Sequence, residues 1–182
     1  MPAHYFVGIR MPKQVHPVAG QFQQSENLRE RYKAIPHPDD LHVTLFFIGS
    51  MDEQKLEDLE ESLQEAALSH RPFEIRLDRF DFFGPKTGPR VVYLGLEESR
   101  PLQLLQQDVT RAVGRSLGLP PEGKQFTPHV TIAKKRKTDE RLEFSPEPLG
   151  PISVSVQSFQ LFTIHPALNP KYETVRSFML GS

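Results

Sequence analysis

The pattern of apolar and polar positions divides the chain into alternating strands and helices. Residues 4–10, His4-Tyr5-Phe6-Val7-Gly8-Ile9-Arg10, are aromatic-rich and loosely alternating, which predicts a first strand. Pro12 suits a helix start, and Val15, Val18, Phe22 and Leu28 continue an amphipathic helical pattern to about Tyr32. Pro17 and Gly20 weaken its first half. A proline-punctuated loop over 34–40 leads into a second strand. Asp52 is a plausible N-cap for a helix over 54–68, with Leu56, Leu59, Leu63 and Ala67 on its buried face and His70 and Arg71 closing it. Residues 73–83 and 90–96 alternate as the two arms of a hairpin around a Gly- and Pro-rich tip. A third helix runs from Pro101 with a stripe of Leu102, Leu105, Val109, Ala112, Val113 and Leu117, and Gly118 stops it. After a loop over 119–124 comes another strand. A Pro-rich connection over 140–151 follows, then one long bent strand over 152–164, a turn at 165–170, and a last strand over 172–180. Runs of antiparallel strands mixed with helices in this order predict an α+β fold.

Two of these strands carry the same four-residue pattern. His42-Val43-Thr44-Leu45 and His129-Val130-Thr131-Ile132 sit one in each half of the chain. In a strand, residues i and i+2 share a face. Each copy therefore buries its aliphatic pair and presents a histidine beside a threonine on the opposite face. Histidine gives or takes a proton near neutral pH, and the neighbouring hydroxyl can hold an oxygen of the group acted on. A lone strand histidine is more often structural than catalytic, but two copies with matched neighbours favour a shared site. The economical arrangement is two pseudo-symmetric lobes of mainly antiparallel sheet, with helices outside and the two motif strands lining a central cleft. This is a single bilobal domain over 1–182, with the terminal strands completing the sheets of both lobes.

The doubled His-x-Thr-x resembles the 2H phosphoesterase superfamily. Asp40-Leu41-His42-Val43-Thr44-Leu45-Phe46-Phe47-Ile48-Gly49 and Phe126-Thr127-Pro128-His129-Val130-Thr131-Ile132-Ala133 resemble the two motifs of the RNA 2′,3′-cyclic phosphodiesterases once called 2′-5′ RNA ligases. The segment from Phe83-Gly84 to Leu96 also fits. The resemblance spans nearly the whole chain and implies the same bilobal fold. It implies His42 and His129 as the catalytic pair and Thr44 and Thr131 as phosphate ligands. The implied reaction is metal-independent hydrolysis of RNA 2′,3′-cyclic phosphate ends to 2′-phosphomonoesters, with no cofactor. Opening at the 3′ oxygen is assigned to His129 as base and His42 as acid, although pseudo-symmetry lets the roles exchange. One departure is Lys134, five positions after the second histidine, where the family commonly has Arg. Strict alternation points Lys134 away from His129, so it reaches the phosphate only if the strand end twists or bulges. Ligation to a 2′-5′ bond at the same site and a non-catalytic RNA-end or nucleotide-binding module are the alternatives.

Composition narrows the rest. The 182 residues contain no cysteine, which excludes disulfides and Cys-based zinc sites. A metal hydrolase is disfavoured because neither motif has paired-histidine ligand spacing. Net charge of −1 gives no global field for duplex binding, yet a short RNA end needs only a local patch. The run Lys134-Lys135-Arg136-Lys137 is either a solvated loop or such a patch. The acidic residues of 53–61 read as a solvated helix face. His37, between two prolines, reads as a solvated loop residue. One of Phe80, Phe82, Phe83 or Tyr93 could stack a base at the cleft rim. No signal peptide or membrane span is visible, so a cytoplasmic monomer acting on RNA, without a membrane partner, is expected.

Overall fold

The computed structural model describes residues 3–120, 123 and 125–182. Strands β1 (His4–Arg10), β2 (Tyr32–Ala34), β3 (His42–Ser50), β4 (Phe73–Phe83), β5 (Val91–Leu96), β6 (His129–Arg136), β7 (Glu147–Val156), β8 (Ser158–Ile164) and β9 (Tyr172–Met179) alternate with α1 (His16–Ser25), α2 (Leu28–Arg31), α3 (Leu56–Leu68) and α4 (Arg100–Leu117). Among the described residues the strands form one antiparallel sheet in the order β7-β4-β5-β6-β3-β1-β8-β9, with β2 alongside β6. The centre of that order is the pair of motif strands. β3 and β6 meet at one register position, Val43 opposite Val130. Three further strands flank each, so the α+β fold has two matching lobes about that contact.

The motif strands are central because their apolar sides are needed in the core. Val43, Val130 and Ile132 are fully buried and Leu45 is 3% exposed. Helices α3 and α4 cover the β3 lobe, with Gln106 of α4 donating to the Leu45 carbonyl at 3.2 Å. Helix α1 covers the other lobe, where Phe22 stacks on Phe80 of β4 with ring centroids 3.7 Å apart. Gly8 of β1 faces Thr44, and a Cβ there would lie 2.8 Å from the Val43 carbonyl oxygen, so a side chain would push the two strands apart. No helix among the described residues is long and apolar enough to cross a membrane.

Several expectations need correction. The helix expected to reach Tyr32 breaks at Asn27, whose left-handed φ of 53° ends regular helix. Tyr32 instead begins β2, is 1% exposed, and donates its hydroxyl to the Pro89 carbonyl at 2.7 Å. The long bent strand is two strands: β7 pairs with β4, and after Gln157 the chain enters β8, which pairs with β1 in the other lobe. The terminal strands do not serve both lobes, since β1 and β9 lie on the β3 side of the sheet. His70 does more than close α3, because its Nε2 lies 2.7 Å from Asp108 Oδ2 on α4. In the loop expected over 119–124, Pro121, Glu122 and Lys124 lie outside the described residues.

Candidate active site

Both motif strands bulge at the same place. On β3, Gly8 pairs with Thr44 but Val7 pairs with Phe46, leaving Leu45 as the extra residue. On β6, Tyr93 pairs with Thr131 but Val92 pairs with Ala133, leaving Ile132 as the extra residue. A bulge lets two successive residues occupy one face and reverses the alternation beyond them. The first six positions of the two strands accordingly share one burial sequence: half-buried histidine, buried valine, half-buried threonine, two buried residues, then an exposed one. That exposed residue, five after the histidine, is Phe47 on β3 and Lys134 on β6. The bulge that Lys134 required is present, and Lys134 lines the same cavity as His42, Thr44 and Thr131.

The register sets the four motif side chains against one another. With Val43 opposite Val130, one step either way places His42 across from Thr131 and Thr44 across from His129. Directly opposed side chains have Cβ atoms about 5 Å apart, and diagonal neighbours about 7–8 Å. The histidines occupy one diagonal and the threonines the other.

Each imidazole is fixed by matching contacts. His42 Nδ1 donates to the Asp40 carbonyl at 2.7 Å, and His129 Nδ1 donates to the Thr127 carbonyl at 2.8 Å. With Nδ1 committed, Nε2 is left for chemistry in both. His42 packs on Phe6, with centroids 4.8 Å apart, and meets Tyr172 edge-on at 5.2 Å. His129 packs on Tyr93 at 5.2 Å and meets Phe83 edge-on at 4.9 Å. Phe83 and Tyr93, candidates for base stacking, are thus engaged with His129. Phe80 stacks on Phe22 and Phe82 packs edge-on against Phe144. The exposed aromatic at the cavity is Phe47, 58% exposed. Phe47 was legible in principle, because it stands at the same offset as Lys134 in the repeat.

The two histidines differ electrostatically. Burial pushes His42 down to about 4, partly offset by the hydrogen bond to the Asp40 carbonyl, and a charge on His129 lowers it further. In this neutral state Nε2 accepts the Thr44 hydroxyl at 2.9 Å. His129 is also lowered by burial, partly offset by its bond to the Thr127 carbonyl. Lys134 is reachable by solvent, yet the cavity wall crowds it. That desolvation, followed by the neighbouring Lys135 and Lys171, holds its ammonium below the usual lysine value.

The cavity has a volume of about 580 Å³. His42 is part of its wall, while His129 stands outside that wall, beside Thr44 across the register. His37, expected in solvent, lines the cavity, and its Nδ1 accepts the Asp39 amide at 3.0 Å. Lys33, Lys171 and Tyr172 also reach it, and no local sequence signal marks them. Asp40 is 4% exposed, and its carboxylate accepts the Lys171 and Tyr172 amides at 2.8 and 3.2 Å, fixing that turn against the site. A larger cavity, about 690 Å³, lies beside Phe46 between α3 and α4 and contains neither histidine. Among the described residues no group of three or more His, Cys, Asp or Glu is placed to hold a metal ion.

A two-lobed antiparallel sheet with paired His-x-Thr strands at its centre defines a class of paired-histidine α+β proteins. A profile of the 2′-5′ RNA ligase superfamily matches residues 13–166, and the chain belongs to that family. An RNA 2′,3′-cyclic phosphodiesterase of Bacillus subtilis (strain 168) is 33% identical over 179 residues, covering 98% of this chain and 97% of that protein. A solved protein of Thermus thermophilus is 25% identical with a TM-score of 0.82, covering 98% of this chain and 99% of that one. Escherichia coli LigT in apo form has the same fold, with a TM-score of 0.82 at 23% identity, covering 100% of this chain and 99% of that one.

Proposed function

We propose that the chain hydrolyses 2′,3′-cyclic phosphate ends of RNA to 2′-phosphomonoesters, using His42 and His129 as its acid-base pair. The observation that carries this reading is the diagonal placement of the two histidines across one register contact, with the two threonines on the other diagonal. In-line displacement at phosphorus needs a base beside the attacking water and an acid beside the leaving oxygen, on opposite sides. A separation of about 7–8 Å between diagonal strand positions leaves room for a phosphorane between the two imidazoles.

One imidazole takes a proton from water as the water oxygen bonds to phosphorus. The P–O3′ bond breaks, and O3′ takes a proton from the other imidazole. The 2′-phosphate remains, and the two histidines have exchanged protonation states. Thr44 and Thr131 donate to the non-bridging oxygens, where charge accumulates. Thr44 leaves His42 Nε2 to do so. Lys134 adds a positive charge and Phe47 a face for the terminal base. The leaving oxygen belongs to the bound ribose, which sits in the cavity that His42 lines, while water approaches from the side of His129. This makes His42 the acid and His129 the base. The low pKa of His42 means that it takes up its proton together with the anionic phosphate.

Relatives bearing the phosphodiesterase name support the substrate class, and Escherichia coli LigT has been solved with 3′-AMP and with phosphate. A 5′-hydroxyl in the place of water would give 2′-5′ ligation with the same groups. One chain supplies both histidines, so a monomer suffices. The test is incubation of the pure protein, in excess EDTA, with short RNAs ending in 2′,3′-cyclic phosphate, followed by identification of the product. A 2′-phosphate is expected. A 3′-phosphate, or no turnover without added metal, overturns the reading.

A further inference from the structure

The cavity that holds the reacting groups is lined by three lysines besides Lys134. Lys33 of β2, Lys135 of β6 and Lys171 of the turn before β9 all line it. The β2–β6 register pairs Tyr32 with Arg136 and Ala34 with Lys134, which sets Lys33 across from Lys135. Like charges directly opposed on neighbouring strands repel. Among the described residues, neither these three lysines nor Lys134 forms an ion pair with a carboxylate. This local excess occurs in a chain of net charge −1. The nearest buried acid, Asp40, is occupied by the Lys171 and Tyr172 amides, which fix the Lys171 backbone at the cavity wall. Arg10 braces the same turn by donating to the Tyr172 carbonyl and the Thr174 hydroxyl at 3.3 and 3.2 Å. Cations held together in this way repel one another, and an anion that joins them relieves that repulsion. A cyclic phosphate carries one negative charge, and Lys134 already answers it.

We propose that Lys33, Lys135 and Lys171 form a track for the phosphodiesters upstream of the reacting end, so that the preferred substrate is an RNA oligonucleotide rather than a cyclic mononucleotide. This rests on the hydrolase reading above. The terminal ribose connects through O5′ to the next phosphate, and each further phosphate brings one charge for one lysine. Lysine reads phosphate as a point charge, so the track is indifferent to base sequence.

The experiment compares kcat/KM for a cyclic mononucleotide and for a pentanucleotide with the same cyclic end, between roughly 50 and 300 mM salt. The natural protein is measured beside Lys33→Gln, Lys135→Gln, Lys171→Gln and Lys33→Arg. The natural protein should favour the pentanucleotide, with a steeper fall in salt. Each Gln variant should reduce the pentanucleotide-to-mononucleotide ratio by roughly fivefold and the salt slope by about 0.7, the value for one single-strand phosphate contact. Lys33→Arg should restore both. An unchanged ratio in all three Gln variants, or equal losses on both substrates, overturns the track. Anisotropy of a labelled pentanucleotide gives the same slopes without turnover. Salt-dependent binding that the Gln variants weaken would keep the track even if no hydrolysis occurred, and flat binding would remove it.

Discussion

His42 should make the protein sensitive to mild acid, by an amount that follows from its burial. Its native pKa is pushed down to about 4, against an ordinary value near 6.5 in the unfolded chain. The folded state therefore binds the proton less readily than the unfolded state. The contribution is fully present above pH 6.5 and is lost as pH falls through 4. At pH 5 the unfolded imidazole is almost wholly charged while native His42 is still about nine-tenths neutral, so linkage removes about 2 kcal/mol relative to pH 7.5. His42→Asn cannot titrate and keeps an N–H for the Asp40 carbonyl. Urea unfolding of both proteins at pH 7.5 and pH 5 cancels the carboxylates, which titrate in each. The natural protein should lose about 2 kcal/mol more than the variant over that interval. Equal losses would show that His42 is not held neutral by burial.

Four further outcomes are expected. In pH profiles with a cyclic mononucleotide, both limbs of kcat/KM should fall below the ordinary histidine value, with the lower limb near 4, because burial lowers both imidazoles; an alkaline limb above about pH 7 would contradict this. His42→Ala and His129→Ala should each abolish most turnover, and the double variant should be little worse than either, since the pair forms one proton circuit; near-normal turnover in one single variant would end the two-histidine mechanism. Thr44→Val and Thr131→Val should each slow the chemical step by roughly 10- to 1000-fold in single-turnover assays, and unchanged rates in both would leave the threonines as strand residues. With sulfur in place of the 3′ leaving oxygen, His42→Ala should recover much of its activity while His129→Ala does not, because thiolate leaves without a proton; the opposite pattern would exchange acid and base.

The fold class and the central pair of strands were legible because period-two alternation and a repeated tetrapeptide are local signals. The bulges were not, because Leu45 and Ile132 read as ordinary alternating aliphatics. They become bulges only against the register of β1 and β5. That one fact determines where Phe47 and Lys134 point, so a pattern confined to the strand places Lys134 on the wrong side and passes over Phe47. The β7–β8 break was hidden for a similar reason. Gln157 and Ser158, two successive polar residues, only shift the phase of an otherwise alternating run, and the pairing partners are what reveal that the two sides belong to different lobes. Lys33, Lys171 and Tyr172 reach the cavity through long-range placement, with Asp40 joining residues 131 and 132 positions apart in sequence. No window along the chain contains that bond.

The path of the chain between lobes also governs how the molecule can be divided. β1 is in one lobe, β2 beside the other, β3 back in the first, β4 and β5 in the second, and β8 and β9 in the first again. The symmetry visible in space is therefore absent from the chain as a sequence of separable pieces. A cut between residues 70 and 73 leaves the first piece with β1 and β3 but without β8 and β9, and leaves the second without β2 and α1. Neither fragment contains a complete lobe, and each keeps only one of the two motif histidines, His42 or His129. Activity should return only when both fragments are refolded together, which makes the protein suited to split-reporter designs in which the two histidines meet only on reassembly.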